Sequence, residues 1–554
     1  MDKKSKTFIL LLMVVSMVFV LATGCSDANN QVKPNKNQES DANDKGQVIE
    51  TFKFSVTAQS NGVDNTNSIV YKEWIKLMEE KMGKKIEIDW NYIPASDYDS
   101  KVKLEIASNN LTDFFAAPLF YDTAEMAEQG QILDFSQYKD SMPNYMNFLG
   151  QVKDGLERTT NADGSMYYFK ETSTPRFPSD KGMLIQNASA YRYDLFEKHN
   201  IKMPETFDEL YEAAKELKEL YPNKYPINTR WKSLRSIFNA NHVQNEIYWD
   251  GGKFVHGIFE PGYRDALEFA YKLYAGGLLD PEYLVDTDDL IKQKALNGDN
   301  FIWLTQWFTD PANYTRTAND GKIFAVSLYP ANPKYGTAWQ NAVNANTPDL
   351  GWGAYCISST AKNPEELIKF IDLQYDPEVM RLLTWGIEGT TYELNSEGNP
   401  TFVDEFKNAD DPWVVGDKYG IRASKSYRPG LQVSNDASAF VDFAAIDFTY
   451  FDGKYEEVAI EKNEFLRNLP MPQNEYVPAW YDAPTVQFTQ DESQQIAEIM
   501  TPIKTYIEEQ EARFVSGKES FDNWDSFINK VKGMGDVEKV LKIHNDAAQR
   551  AMGN

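Results

Sequence analysis

Between residues 52 and 117 the apolar residues recur at every second position, then at every third or fourth, then at every second again. That switching limits what this chain of 554 residues can fold into. Phe52, Phe54 and Val56 alternate, as the buried face of a strand does. Val70, Trp74, Leu77 and Met78 fall on one helical stripe, with Asn67 or Ser68 placed to cap it and Gly83 to stop it. Ile86, Ile88, Trp90 and Tyr92 alternate again. Tyr98, Val102 and Ile106 fit a second helix, and a short apolar run follows at Phe114-Phe115-Ala116-Ala117. Strands alternating with helices predict a largely parallel sheet, and so an α/β fold.

The same grammar returns further on. Thr206-Phe207-Asp208-Glu209 reads as a capping box, in which the threonine hydroxyl and the glutamate satisfy each other's free amides. It opens a helix carrying Phe207, Leu210, Ala214 and Leu217. Asn363-Pro364 opens another, with proline at the first helical position, where no amide bond is lost. Tyr263, Ala266, Leu267, Ala270 and Tyr274 form an apolar stripe that ends at Gly276-Gly277. From about residue 490 onward the chain reads as mainly helical.

The N-terminus reads as an address. Asp2-Lys3-Lys4-Ser5-Lys6 is basic, Phe8 to Val20 is almost wholly apolar, and Leu21-Ala22-Thr23-Gly24-Cys25 follows. A short apolar core with small residues before the cut is a secretory signal peptide, too short and wrongly flanked for a membrane span. The cysteine after Ala-Thr-Gly resembles the lipobox of bacterial lipoproteins. That resemblance implies cleavage after residue 24 and acylation (palmitate) of Cys25, so the membrane is reached through a lipid anchor only. The alternative is an ordinary cleaved signal. Residues 26–50 carry no aromatic residue and cannot bury enough to fold, so 25–50 is expected to be the lipidated cysteine and a tether. Such a tether spans on average about 25–30 Å.

Composition is globular, 42% hydrophobic and 14% aromatic. The signal carries three lysines and one aspartate, so its removal takes the net charge from −27 to about −29. That excess disfavours nucleic acid and anionic lipid surfaces, which need basic stripes. If Cys25 is acylated, Cys356 is alone and no internal disulfide exists. Cys356 sits in Trp352-Gly353-Ala354-Tyr355-Cys356-Ile357, which reads as a buried strand and makes it a structural thiol.

Four stretches carry a wider resemblance. YRYDLFEKHNIKMPETFDELYEAAKEL, residues 191–217, looks like an "Arg-Asp, leucine-rich turn, Pro-x-Thr-x-x-Glu-Leu" segment. Residues 251–282 follow a "dGkf…pgY…aL…Ly..GLldpE" pattern. Trp385-Gly386-Ile387-Glu388-Gly389 with Tyr392 follows "GiEG..Y". The run ARFVSGKESFDNWDSFINKVKGMGDVEKVLKIHNDAAQR, which starts at Ala512, follows a C-terminal signature. In this order they resemble the extracellular solute-binding lipoproteins of bacterial ABC importers, family 1, in the large oligosaccharide-binding group common in Gram-positive bacteria.

The resemblance implies a two-lobe periplasmic-binding-protein type II fold with a hinge, an interlobe cleft and a helical C-terminal part. It also implies a monomer on the outer face of the cell membrane, with an oligosaccharide ligand and ABC permease subunits as partners. The expected division is 51–165 for lobe 1, 166–320 for lobe 2, 321–400 for lobe 1 again, and 401–554 for lobe 2 and the C-terminal helices. Some relatives that bind uronate oligosaccharides carry an acidic calcium loop after the helix read here at 207–220. This chain has Leu220-Tyr221-Pro222-Asn223-Lys224-Tyr225-Pro226, without a carboxylate, so no calcium is expected there. Asn161-Ala162-Asp163-Gly164-Ser165 has too few acids to replace it and reads as a tight turn. No metal and no cofactor are expected.

Catalysis has no motif behind it. With 83 acids some carboxylate pair always looks suitable. His199, His242, His256 and His544 are not in metal-binding spacing, and no Gly-x-Ser-x-Gly elbow or phosphate loop occurs. A surface polysaccharide lyase or glycosidase is the competing reading.

Sugar binding needs flat rings against the apolar faces of a sugar, with polar side chains between them. Trp74 and Trp90 fit core positions. Trp231, Trp249, Trp303, Trp307, Trp352 and Trp385 lie beside polar or glycine-rich breaks, each either a ligand platform or core, and two or three are expected to face the cleft. Gln59, Asp64 and Asp113 are polar candidates, with Asp113 also able simply to cap its loop. Arg192 and Asp194 are a family-like pair that is equally a structural ion pair. Arg230, Lys232 and Arg235, and Arg422, Lys425 and Arg428, are locally basic, so neutral and uronate sugars both stay open.

Overall fold

A computed structural model of the chain describes residues 50–553, apart from 61–64, 95–96, 119–122, 174–182, 308–309, 319, 345–348, 397, 399, 408, 410–411 and 422–477. The signal segment, Cys25 and the tether up to residue 49 therefore lie outside the described residues, as do Asp64 and the basic trio Arg422, Lys425 and Arg428. Among the described residues, no helix is long and apolar enough to cross a membrane.

The opening pattern folds as read. β1 (Thr51–Ser60) pairs in parallel with β2 (Lys85–Pro94) along its whole length, and with β3 (Phe114–Ala116) on its other edge. Phe52 and Phe54 point into one core, where Phe54 meets Phe370 edge-on at 4.9 Å and Trp74 meets it at 5.7 Å. The buried indole of Trp74 donates to Gln374 Oε1 at 3.1 Å, so the ring is core and its one polar atom is satisfied. Its helix, Ile69–Met82, begins where Ser68 accepts the amide of Tyr71 and stops at Gly83, whose φ of 66° suits glycine. β4 (Phe169–Ser173) completes this sheet through a later strand, β12 (Asp349–Ile357), which is antiparallel to both β3 and β4. The order is β2-β1-β3-β12-β4.

The second sheet takes β5 (Met183–Arg192), β6 (Ile227–Asn228), β9 (Ile302–Trp307), β10 (Phe324–Ser327) and β11 (Asn341–Asn344). Between β6 and β9 lies a separate hairpin, β7 (Ile247–Trp249) and β8 (Phe254–His256). The second core gathers the stripe Tyr263, Ala266, Leu267 and Ala270, the helix Phe207–Leu220, and Phe514, Trp524 and Val531 of the C-terminal helices. These helices are Gln490–Val515, Trp524–Met534 and Val537–Ala551, as the sequence predicts. Thr206 accepts the amide of Glu209, but the Glu209 carboxylate turns to the amide of Glu205, so the expected box is half formed. A complete box occurs at Thr489 and Glu492 instead.

The expected boundaries need correction. β4 falls after residue 165 yet pairs into the first sheet, while β10 and β11 fall after residue 320 yet pair with β5 in the second. Phe402, Phe406 and Ile421 pack with Val70 and Trp385 on the first-lobe side, not with the C-terminal helices. The chain crosses between sheets after Ser173 and after Asn344. Ser173 pairs with Asp349 in one sheet, and Met183 pairs with Asn344 in the other.

Candidate functional site

In open α/β sheets ligands bind beyond the carboxyl ends of the strands. Those ends are Ser60, Pro94 and Ala116 in the first sheet, and Asn228 and Trp307 in the second. Gln59, half-buried, sits one residue before the end of β1 and pairs with Ile93. Asp113 is not a free ligand group. Its Oδ2 accepts both the amide (2.7 Å) and the hydroxyl (2.8 Å) of Ser55, whose oxygen takes the amide of Asp113 in return. The carboxylate pins β3 to β1, the structural alternative of the sequence reading. Arg192 and Asp194 form a two-point ion pair at 2.8 and 2.7 Å, with Asp194 also accepting the amide of Ile323. This pair lies at the end of β5 that adjoins Phe324.

The tryptophans divide by burial. Trp303 is fully buried against Phe324 on β9, a strand flanked by β5 and β6. Trp385 is fully buried against Phe402 at 4.6 Å. Trp249, 7% exposed, packs edge-on against Phe254 within its hairpin. All three are buried against aromatic neighbours, so they pack as core and do not present the open ring face expected of a ligand platform. Trp307 ends β9 and Trp352 lies in β12, but their side chains fall outside what is described.

Trp231 differs. It is 40% exposed and follows the end of β6. It and Lys232 both take left-handed backbone angles, φ 56° and 58°, which side chains larger than glycine rarely adopt. The Arg230 guanidinium sits 4.4 Å from the Trp231 ring centroid and is itself held by Asp288 at 2.7 Å and by Asp310. Just upstream, buried Asn228 donates to Asp286 and Asn300, both at 2.9 Å. Lys294 closes that network with bonds to Asp280, Glu282 and Asp286 at 2.7–3.0 Å. Burial works against the Lys294 charge, but the bonds to Asp286, Glu282 and Asp280 outweigh it and raise the pKa. The loop thus stands on a hydrogen-bonded base in which five carboxylates surround Lys294 and Arg230.

A second surface escaped the sequence reading. His242, Tyr248, Trp339 and Trp480 form a run of rings from three separate stretches of chain. Trp339 stacks on His242 at 4.5 Å, Trp480 meets Trp339 edge-on at 4.9 Å, and Tyr248 meets Trp480 edge-on at 5.9 Å. His242, Trp339 and Trp480 are each half-buried. No local signal marks them, since they converge only when residues 242, 339 and 480 meet.

From Trp480 the chain runs on as a strap to the first lobe. Thr485 donates to Asp154 at 3.1 Å, and the Gln487 side-chain amide donates to the carbonyls of Glu157 and Thr160, both at 2.8 Å. Arg550 holds the strap from behind, through the Gln487 carbonyl at 3.2 Å and Glu492 at 2.8 and 3.0 Å. Where the strap meets the first lobe there is a cavity of about 220 Å³.

Other expectations fall beside the site. Asn161–Ser165 is a tight turn, with Asn161 and Ser165 bonded through their backbones and Gly164 at φ 89°. Beside the Leu220–Pro226 loop, Lys218 donates to the Lys224 carbonyl and Lys224 pairs with Asp299. Among the described residues, no group of three or more His, Cys, Asp or Glu is placed to hold a metal. Cys356 is fully buried, and burial pushes its thiol up to about 12, which makes it inert.

Comparison with known proteins adds to this geometry. Residues 60–381 match the family model described as bacterial extracellular solute-binding protein. The chain is 22% identical, over 99% of its own length and 99% of the other's, to the fructooligosaccharide ABC transporter substrate-binding protein FusA of Streptococcus pneumoniae serotype 4. It is 22% identical to the polygalacturonan/rhamnogalacturonan-binding protein YtcQ of Bacillus subtilis, over 58% of this chain and 64% of that one. Among solved structures, the alginate-binding protein AlgQ2 without calcium ion superposes with a TM-score of 0.70 at 19% identity, covering 91% of this chain and 99% of that one. FusA in complex with kestose gives 0.64 at 18% identity, over 91% and 100%. The two-lobe fold is shared with these solute-binding proteins.

Proposed function

The chain belongs to the family of bacterial extracellular solute-binding proteins, and from that premise we propose that it captures an oligosaccharide between its lobes and delivers it to an ABC importer. The observation that carries this reading is the half-buried ring wall His242–Trp339–Trp480, joined by one strap to a polar cavity that the strap forms against the first lobe. Stacked rings beside amides and hydroxyls suit the alternating apolar and hydroxylated faces of sugars. Trp231 on its braced loop is a further platform. The names of the relatives, a fructooligosaccharide-binding and a polygalacturonan/rhamnogalacturonan-binding protein among them, support a glycan ligand.

In this reading the protein performs no bond chemistry. Ligand touching both lobes stabilises a closed form, which the permease subunits recognise. The mature chain is a monomer, held to the outer face of the cell membrane by acylated Cys25 and its tether, in a Gram-positive cell. Thermal shift and calorimetry of the mature chain against neutral and uronate oligosaccharides test it. Ligand at a hundred times its dissociation constant is expected to add about 2.7 kcal/mol, with the sugar recovered intact. Cleaved sugar, or no response to either class, overturns the reading.

A further inference from the structure

The cavity beneath the strap draws Tyr167, Tyr168, Arg158 and Thr160 from the first lobe, and Gln487 and Phe488 from the strap. We propose that it is a subsite for one uncharged, polyhydroxylated ring of the captured carbohydrate, with the Thr160 hydroxyl as hydrogen-bond partner and Gln487 as the residue that assembles the site. This rests on the carbohydrate-capture reading and adds to it a place and a chemistry.

Four observations converge. The Thr160 Oγ1 atom is buried and has no hydrogen-bond partner, although the carbonyl of the same residue is taken by Gln487. A buried hydroxyl without a partner is destabilising, and a ligand hydroxyl in the cavity relieves it. The charged residues lining the cavity are Glu157 and Arg158, one of each sign. A carboxylate on the ligand would therefore meet no net positive charge, in a chain whose own charge of −27 already repels anions.

The rings of Tyr167, Tyr168 and Phe488 supply flat apolar surface beside the polar groups, the mixture a sugar ring demands. Finally, the volume of about 220 Å³ lies below the ~300–1,000 Å³ of pockets that enclose a drug-sized molecule, so it takes one ring rather than a chain.

The two lobes build the cavity together. Gln487 uses its side-chain amide on two first-lobe carbonyls while Arg550 grips its own carbonyl. With those bonds broken the strap leaves the first lobe and the cavity loses a wall. Occupancy of the subsite is therefore tied to contact between the lobes.

The test is calorimetry and stopped-flow fluorescence on the mature full chain, with fructo-, manno- and galacto-oligosaccharides as neutral probes and oligogalacturonate as the acidic one. The wild type, Thr160→Val and Gln487→Glu are compared. Thr160→Val keeps the shape and removes the hydroxyl. It is expected to weaken the best neutral probe about fivefold, with its melting temperature held. Gln487→Glu sets a carboxylate against two carbonyls and is expected to weaken binding about tenfold or more, mainly through faster dissociation.

If the wild type binds a neutral probe and Thr160→Val binds it equally well, the subsite is wrong while the capture reading stands. If oligogalacturonate alone binds, the uncharged-ring assignment is wrong. If none of the probes binds the wild type, the capture reading fails and takes the subsite with it.

Discussion

The imidazole of His242 lies parallel to the indole of Trp339, with ring centroids 4.5 Å apart and planes inclined by 4°. His242 reaches this position through a left-handed φ of 52°, and its Nε2 lies 2.7 Å from the Thr337 carbonyl, so Nε2 carries the proton. The backbone strain and the fixed tautomer together hold the ring as a brace for the tryptophan.

If this wall meets the sugar, Trp480→Ala and Trp339→Ala should each raise the dissociation constant about tenfold, from roughly 1.5 kcal/mol of lost ring contact. Calorimetry with the best oligosaccharide measures it. Unchanged affinity in both variants would remove the wall from the site.

Trp231 and Trp303 should respond in opposite ways. Trp231 is 40% exposed and Trp303 fully buried. Trp303→Ala is expected to cost about 3–5 kcal/mol of stability, read as a lower urea midpoint. Trp231→Ala should leave the midpoint within about 0.5 kcal/mol and act on ligand affinity instead.

Lys294 holds three carboxylates around one ammonium, with Asp280 and Asp286 both nearly buried. Lys294→Met leaves those acids without their counter-charge and is expected to destabilise by about 3–5 kcal/mol at neutral pH. Lys294→Arg keeps the charge and is expected to lose less. Urea midpoints of the two variants read the difference, and an equal loss in both would contradict the electrostatic account.

His256 carries an acid-sensitivity prediction. It is buried, its Nδ1 accepts the amide of Ile258 at 3.3 Å, and burial lowers its pKa from 6.5 to about 4. A depressed histidine pKa means the folded state binds its proton less readily than the unfolded one. The stability from this group is therefore complete above about pH 6.5 and is lost as pH falls toward 4, with about 2 kcal/mol gone by pH 5. The urea midpoint of the wild type should fall over that window, and His256→Gln should fall less steeply.

Much of the fold was legible because its signals are local. Phe52, Phe54 and Val56, the Ser68 cap, the Gly83 stop and the Thr206 start each act within a few residues. The lobe boundaries were not, since β4 joins its sheet through β12, some 180 residues later, and nothing near Phe169 marks that partner. The site was harder still. Trp231 and Trp303 both sit beside polar residues, and only burial separates them. Asp113 looks like a loop ligand until Ser55 is seen to occupy it. Trp339 and Trp480 gain their meaning from each other and from His242, none of them near in sequence.

Ser173 with Asp349, and Met183 with Asn344, mark where two runs of chain leave one sheet side by side and enter the other side by side. The first sheet is therefore drawn from two separate stretches of chain, and the second sheet is inserted between them. The first lobe cannot be cut out as one length of chain, so a substitution on either side of a bound glycan has its meaning only in the whole protein.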